Sequence, residues 1–228
     1  MEKCLCAVIC DVDGTLLDTE RINKEAWRES LRSFGYEASE ELLLRTRGIR
    51  AERIRQLFET EIAPDFPFEE ARRRRNEIAE RETERQSPVL KAGAREFLSA
   101  LNESGILLAV ATTTLLAPTR RHLAWNGIDG YFDAIVCGDM VQSAKPAPDL
   151  FLKAAEKLGV KPEHCLIAED SPAGILAAHA ANMRCAVVPD LAPLPDEILR
   201  YASGVYHDLF EVLKDIRKGT YGEIRGVL

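Results

Sequence analysis

The chain has 228 residues, enough for one large domain or for a domain carrying a smaller inserted one. With 46% hydrophobic and 29% charged residues it lies far from the low-hydrophobicity signature of disorder. Its 30 Lys and Arg against 37 Asp and Glu leave a formal charge of -7, the opposite of the basic footprint that a nucleic-acid partner selects.

The first element is the apolar run Leu5 to Cys10, which reads as a strand. No basic leader precedes it and no stretch approaches the ~20 apolar residues of a membrane span, so the expectation is a cytoplasmic protein with no membrane partner. The even spacing of Cys4, Cys6 and Cys10 predicts that all three share one strand face. Together with Cys137, Cys165 and Cys185 they read as buried thiols, because no second Cys or His pair follows at zinc-ligand spacing. From Leu16 to Gln86 the pattern is helical, with Ile22, Ala26, Trp27 and Ser30 and then Ile54, Leu57 and Phe58 at helix spacing. About 70 residues are too many for an ordinary crossover, so residues 16–86 are expected to form a helical domain inserted into a core of residues 1–15 and 87–228. Its basic run Arg72 to Arg75 lies among six Arg and six Glu between Glu69 and Gln86, which predicts a solvated helix carrying i,i+4 ion pairs.

After the insertion the chain alternates strands with helices. Apolar runs at Ile106 to Ala111, Ala134 to Cys137, Cys165 to Ala168 and Cys185 to Val188 are separated by helical segments at Thr119 to Trp125, Asp149 to Leu158 and Ala173 to Ala181. Pro118, Pro148 and Pro172 mark helix starts, and Gly127 and Gly159 mark stops. The alternation predicts an α/β fold, a doubly wound parallel sheet of the Rossmann-like kind with an inserted all-helical domain.

Polar residues gather at the strand ends. The first strand runs into Asp11-Val12-Asp13-Gly14-Thr15, the second into Thr112-Thr113-Thr114 and the fourth into Glu169-Asp170, while Lys145 follows the third. Open α/β sheets bind ligands at that edge. Asp11, Asp13, Glu169 and Asp170 bring four negative charges against the single positive charge of Lys145, and buried carboxylates are costly without a cation. An oxygen-only set with a phosphate to share favours Mg²⁺ as cofactor.

The motif Asp11-Val12-Asp13-Gly14-Thr15-Leu16-Leu17-Asp18, a Thr after an apolar strand, Lys145-Pro146 and Glu169-Asp170-Ser171-Pro172-Ala173-Gly174 resembles the haloacid dehalogenase superfamily, in the branch with a helical cap after the first strand. The resemblance runs from Leu5 to about Ile216. It implies that Asp11 is the nucleophile and Asp13 the general acid/base, that Thr112, with Thr113, and Lys145 bind the phosphoryl group, and that Asp11, Asp13, Glu169 and Asp170 serve the metal. Such roles are chemically coherent: a carboxylate nucleophile splits phosphoryl transfer into two displacements, and a second carboxyl moves the proton.

The second aspartate, Asp13, separates phosphotransfer members from the dehalogenases. Among capped members, β-phosphoglucomutases carry a His where this chain has Asn23, and here the loop Arg47-Gly48-Ile49-Arg50 places its Arg one position earlier than theirs. Asn23, Gly48 and Arg50 are therefore expected to bind substrate, and the implied function is a phosphatase acting on a small phosphorylated metabolite through an aspartyl-phosphate. The alternatives are a β-phosphoglucomutase-type phosphotransferase and a non-catalytic phosphate-binding protein on the same fold. Signalling receiver domains share the acidic pair, the Thr and the Lys, but place the phosphorylated Asp on a later strand.

Overall fold

The computed structural model describes residues 4–46, 51–85, 88–190 and 194–224. Its strands are β1 (Cys4–Leu5), β2 (Ala7–Cys10), β3 (Leu107–Ala111), β4 (Ala134–Val136), β5 (Cys165–Glu169), β6 (Arg184–Val187), β7 (Gly204–Val205) and β8 (Glu223–Ile224). Six of them form a parallel sheet in the order β4-β3-β2-β5-β6-β7, and β1 pairs with β8 apart from it. The chain order reverses at β2, which is flanked by β3 and β5, so the central strand carries the switch point where open α/β sheets place ligands.

The strands are apolar on both faces because both faces are covered. Val8, Cys10, Leu108, Val110, Leu166 and Ala168 pack with Phe97 and Leu98 of helix Ala94–Glu103 and with Leu209 and Val212 of helix Leu209–Arg217. Ile9, Ala109, Ala111 and Ile167 face the other way, onto Leu150 and Phe151 of helix Asp149–Leu158 and Ile175 and Ala178 of helix Pro172–Ala180. Period-2 alternation thus divides one core into two layers.

The N-terminal cysteines depart from the even-spacing expectation. Cys10 belongs to the first layer, whereas Cys6 packs against the second. The reason is local: at Cys6 the chain passes from β1, which pairs with β8, to β2 in the main sheet, and Cys6 and Ala7 both face the second layer, which breaks the side-chain alternation there. All six cysteines are thiols, and all but Cys6 are buried.

The chain divides into two compact units, residues 1–17 with 89–228, and residues 18–88. Leu16 and Leu17 are fully buried in the first unit, where Leu17 bridges to Leu90 and the Lys91 N–H donates to the Leu16 carbonyl. The second unit consists of helices Glu20–Ser33, Glu40–Arg45, Ala51–Glu61 and Phe68–Arg85. An aromatic cluster centres it: Trp27 and Phe58 meet edge to face at 5.1 Å, and Phe66 meets Phe58 at 5.2 Å. The buried Ser30 hydroxyl donates to the Ala71 carbonyl at 2.7 Å, fixing the first of these helices on the last. The basic run is ion-paired, but at i,i+3 spacing: Arg72 with Glu69 and Arg74 with Glu77, while Arg75 lies over the Trp27 ring.

Phe58 is fully buried and touches three other aromatic rings of this unit. Phe58→Ala is expected to destabilise the helical unit by about 3–5 kcal/mol, the usual cost of deleting a buried aromatic ring. Urea titration read by Trp27 fluorescence, in a Trp125→Phe background, checks it.

Candidate active site

Strand register assembles the site. Cys10 pairs with Val110 on one side and Ala168 on the other, so the next residue, Asp11, leaves the sheet beside Glu169 and one step short of Thr112. The Asp11 N–H still donates to the Ala168 carbonyl at 3.0 Å, and the Thr112 N–H to the Val136 carbonyl at 3.1 Å, which extends the ladders to the residues that carry polar groups.

Lys145 is the hub. Its ammonium donates to Asp11 Oδ1 at 2.5 Å and to Glu169 Oε1 at 2.7 Å, with the side chain only 4% exposed. Its apolar surroundings include the Phe151 ring, whose centroid is 4.9 Å from the nitrogen. Burial alone pulls the Lys145 pKa down, but Asp11 and Glu169 more than offset it and hold the ammonium above its ordinary range. Burial pushes the Asp11 carboxyl well above the usual carboxylate range, Lys145 opposes that push, and Glu169 and Asp13 add to it.

Glu169 is fully buried and satisfied on both oxygens. Oε1 takes Lys145, and Oε2 accepts the N–H groups of Asp170 at 2.8 Å and Ser171 at 2.6 Å. Ser171 caps the following helix by accepting from the Gly174 N–H at 3.1 Å, so Glu169 lies against the start of that helix, where a negative charge is favoured. A Cβ on Gly174 would fall 1.8 Å from Glu169 Oε1. Asp170 accepts from the buried Thr15 hydroxyl at 3.2 Å, and a Cβ on Gly14, which sits at φ +92°, would come within 2.3 Å of Asp170 Oδ2. Two glycines therefore clear the space that two carboxylates fill.

Carboxylate oxygens of Asp11, Glu169 and Asp170 lie within 4.8 Å of one another, and all three residues are buried. Three negative charges face one ammonium. The donors are all hard oxygens and the excess negative charge matches a divalent ion, so these residues fit a divalent cation.

Asp13 stands apart from that group, although the sequence places it among the metal residues. Its Oδ2 accepts the Thr114 hydroxyl at 2.6 Å and the Thr112 hydroxyl at 3.3 Å, and the Thr114 N–H donates to Thr112 Oγ1 at 3.1 Å. Thr114 is the residue that sequence reasoning missed. Its signal was the third hydroxyl of Thr112-Thr113-Thr114, two residues beyond Thr112 and so able to reach the same neighbour. Thr113, between them, is exposed. In the second unit, Asn23 lies half-buried on helix Glu20–Ser33, whereas Gly48 and Arg50 fall outside the described residues.

The haloacid dehalogenase-like hydrolase family matches this sequence over residues 8–188. The chain belongs to that family. It is 34% identical over 177 residues to the fructose-1-phosphate phosphatase YqaB of Escherichia coli, covering 77% of this chain and 92% of that one. Its fold is similar to that of CbbY from Rhodobacter sphaeroides, solved as a mutant with xylulose-(1,5)bisphosphate, at a TM-score of 0.72 and 29% identity over 92% of this chain and 96% of the other. It is also similar to a β-phosphoglucomutase from Clostridium difficile, at a TM-score of 0.75 and 25% identity, covering 95% and 97%. Among the described residues no helix is long and apolar enough to cross a membrane.

Glu169 is held by three donors, so it cannot yield to a new methyl group at Gly174 without losing one of them. Gly174→Ala is expected to destabilise the core by roughly 1–3 kcal/mol, as overpacking does. Gly130→Ala, whose Cβ would meet open space, is expected to change stability by under about 0.5 kcal/mol. Paired urea titrations compare the two.

Proposed function

We propose that this family member is a Mg²⁺-dependent phosphatase of a small phosphorylated metabolite, of the sugar-phosphate kind, working through an aspartyl-phosphate on Asp11. The observation that carries the reading is the division of labour between two aspartates two residues apart. Asp11 is buried against Lys145, and Asp13 is held by threonine hydroxyls. One environment suits a fixed nucleophile, the other a carboxyl that exchanges a proton.

In the first step a carboxylate oxygen of Asp11 attacks phosphorus, the bond to the leaving oxygen breaks, and Asp13 gives its proton to the departing alkoxide. In the second, water attacks the same phosphorus, Asp13 takes the proton, and Asp11 is released with inorganic phosphate. Lys145 and Thr112 donate to the phosphoryl oxygens, where such catalysis rests on positioning and electrostatics. Asp11 and Asp170 would hold the Mg²⁺, with Glu169 orienting Lys145 and the Asp170 backbone. The ion supplies charge neutralisation between the nucleophile and the incoming dianion. The hard-oxygen set supports Mg²⁺ in particular.

A relative named as a fructose-1-phosphate phosphatase and a similar structure solved with a sugar bisphosphate support the substrate class. Residues 18–88 act as the specificity-bearing cap in this reading, with Asn23, Gly48 and Arg50 as its substrate contacts. The mutase alternative is disfavoured by Asn23, which cannot supply the charge or proton of a histidine. The chain's place is the cytoplasm.

Phosphate release is expected across a panel of hexose, pentose and polyol monophosphates, to require added Mg²⁺, and to fall by several orders of magnitude in Asp11→Asn. Near-normal release by that variant, or undiminished release in EDTA, contradicts the reading. With β-glucose 1-phosphate and a trace of the bisphosphate, the product is expected to be free phosphate and glucose rather than glucose 6-phosphate.

Thr114→Val removes the shorter of the two hydrogen bonds on Asp13 and keeps the shape of the side chain. It is expected to lower kcat about tenfold, the equivalent of a hydrogen bond worth ~1.4 kcal/mol, while leaving KM within about twofold. Thr114→Ser is expected to restore kcat. Steady-state kinetics on one phosphate ester with a poor leaving group measures both.

A further inference from the structure

The sheet edge opposite Asp11 carries a second group of reactive side chains. Cys4 and Cys6 stand on either side of Leu5, and their sulfurs are 3.7 Å apart. His164, at the entry to β5, places Nδ1 3.1 Å from the Cys4 sulfur. The Arg184 guanidinium donates to the Cys4 carbonyl at 3.1 Å and to the Glu163 carbonyl at 3.3 Å, which brings a fixed positive charge to the pair. Cys6 is partly exposed, and Cys4 is 7% exposed.

We propose that Cys4 and Cys6 form a site of reversible oxidation by hydroperoxides, closing to an intrachain disulfide with His164 as the proton acceptor. This reaction is independent of the phosphatase chemistry and uses none of its residues. Each part of the site has a distinct task. Cys6 is the sulfur that solvent reaches, and its thiolate is the form that reacts. The thiolate attacks one oxygen of hydrogen peroxide, the O–O bond breaks, and a sulfenic acid and hydroxide result. Cys4, shielded from solvent, is the resolving thiol. With the imidazole proton on Nε2, Nδ1 accepts the Cys4 proton. The Cys4 thiolate then attacks the Cys6 sulfur, the S–O bond breaks, and the departing hydroxide takes the proton from the imidazolium as water. In sum, two thiols and one peroxide give one disulfide and two waters. A dithiol such as dithiothreitol reverses it by exchange.

The break in side-chain alternation at Cys6 and Ala7 makes this pair and not another. It turns Cys6 to the layer opposite Cys10, and Cys10 is fully buried in the other layer, so three cysteines within seven residues leave only one pair for the bridge. Cys165 follows His164 but is fully buried, with its sulfur directed to the Lys161 carbonyl at 3.5 Å.

The test is peptide mass mapping of the full chain after a few molar equivalents of hydrogen peroxide, with alkylation before and after denaturation. Cleavage after Lys3 and Arg21 releases one peptide with all three N-terminal cysteines. The expected product is that peptide two hydrogens lighter, with Cys10 alkylated only after denaturation, no fragmentation between Cys4 and Cys6, and full recovery with dithiothreitol. In Cys4→Ser, Cys6 should instead run on to sulfinic acid. In His164→Ala, disulfide formation should slow at least fivefold near pH 7, and a sulfenic acid on Cys6 should become trappable by dimedone. A bridge involving Cys10, a bridge between two chains, or Cys6 over-oxidising equally with and without Cys4 overturns the proposal. The wild-type map alone decides the pairing if either variant fails to fold.

Discussion

One buried ammonium holds the site together. Lys145 bridges the residue that follows the central strand and the residue that ends its neighbour, Asp11 and Glu169, all three side chains being buried. Isolated carboxylates there would carry a desolvation cost of several kcal/mol each, and pairing offsets it only where geometry is good and the remaining lone pairs are filled. The surrounding structure meets both conditions. Glu169 has two backbone N–H groups on its second oxygen, and Phe151 closes over the ammonium. Glu169 thereby becomes a scaffold for Lys145 and Asp170. The site's charge excess falls on Asp11 and Asp170, where a divalent cation offsets it.

The fold serves this arrangement through register. Because β2 lies between β3 and β5, and all three end within a residue or two of one another, Asp11, Thr112 and Glu169 emerge from adjacent strands at one edge. A slip of one residue in β2 would send Asp11 to the opposite layer and put Val12, a core residue, in its place, so the two apolar layers that fix register also fix the chemistry. The loop after Asp11 is tied back onto the core by Leu17 and Leu90, which anchors Asp13 before the chain leaves for the helical unit. Gly14 and Gly174 supply the closeness of approach that any side chain would forbid.

Much of this was legible in the residues. Apolar runs that end in Asp, Thr or Glu betray strand ends, and a strong excess of carboxylates over lysine betrays a cation. What escaped depends on distances that no pattern encodes. Asp13 reads as a further metal carboxylate, and its hold on the Thr114 and Thr112 hydroxyls is a contact that no spacing in the sequence shows. Even spacing puts Cys6 and Cys10 on one face, and a break in the alternation, with Cys6 and Ala7 both on the second layer, reverses it. The i,i+4 ion pairs of the basic helix proved to be i,i+3, where long Arg side chains reach Glu equally well. Leu16 and Leu17 looked like the start of the insertion because nothing in their own periodicity distinguishes a buried loop from the first turn of a helix.

The account rests on Asp11 forming the covalent bond to phosphorus. An acyl phosphate, unlike a phosphate ester or a free carboxylate, is reduced by borohydride to an alcohol, which turns the phosphorylated aspartate into homoserine. Turnover of p-nitrophenyl phosphate with Mg²⁺, quenched in acid and reduced, should therefore yield a peptide with homoserine at position 11 and intact aspartate at position 13. Homoserine at position 13, or full turnover with neither residue reduced, would contradict it.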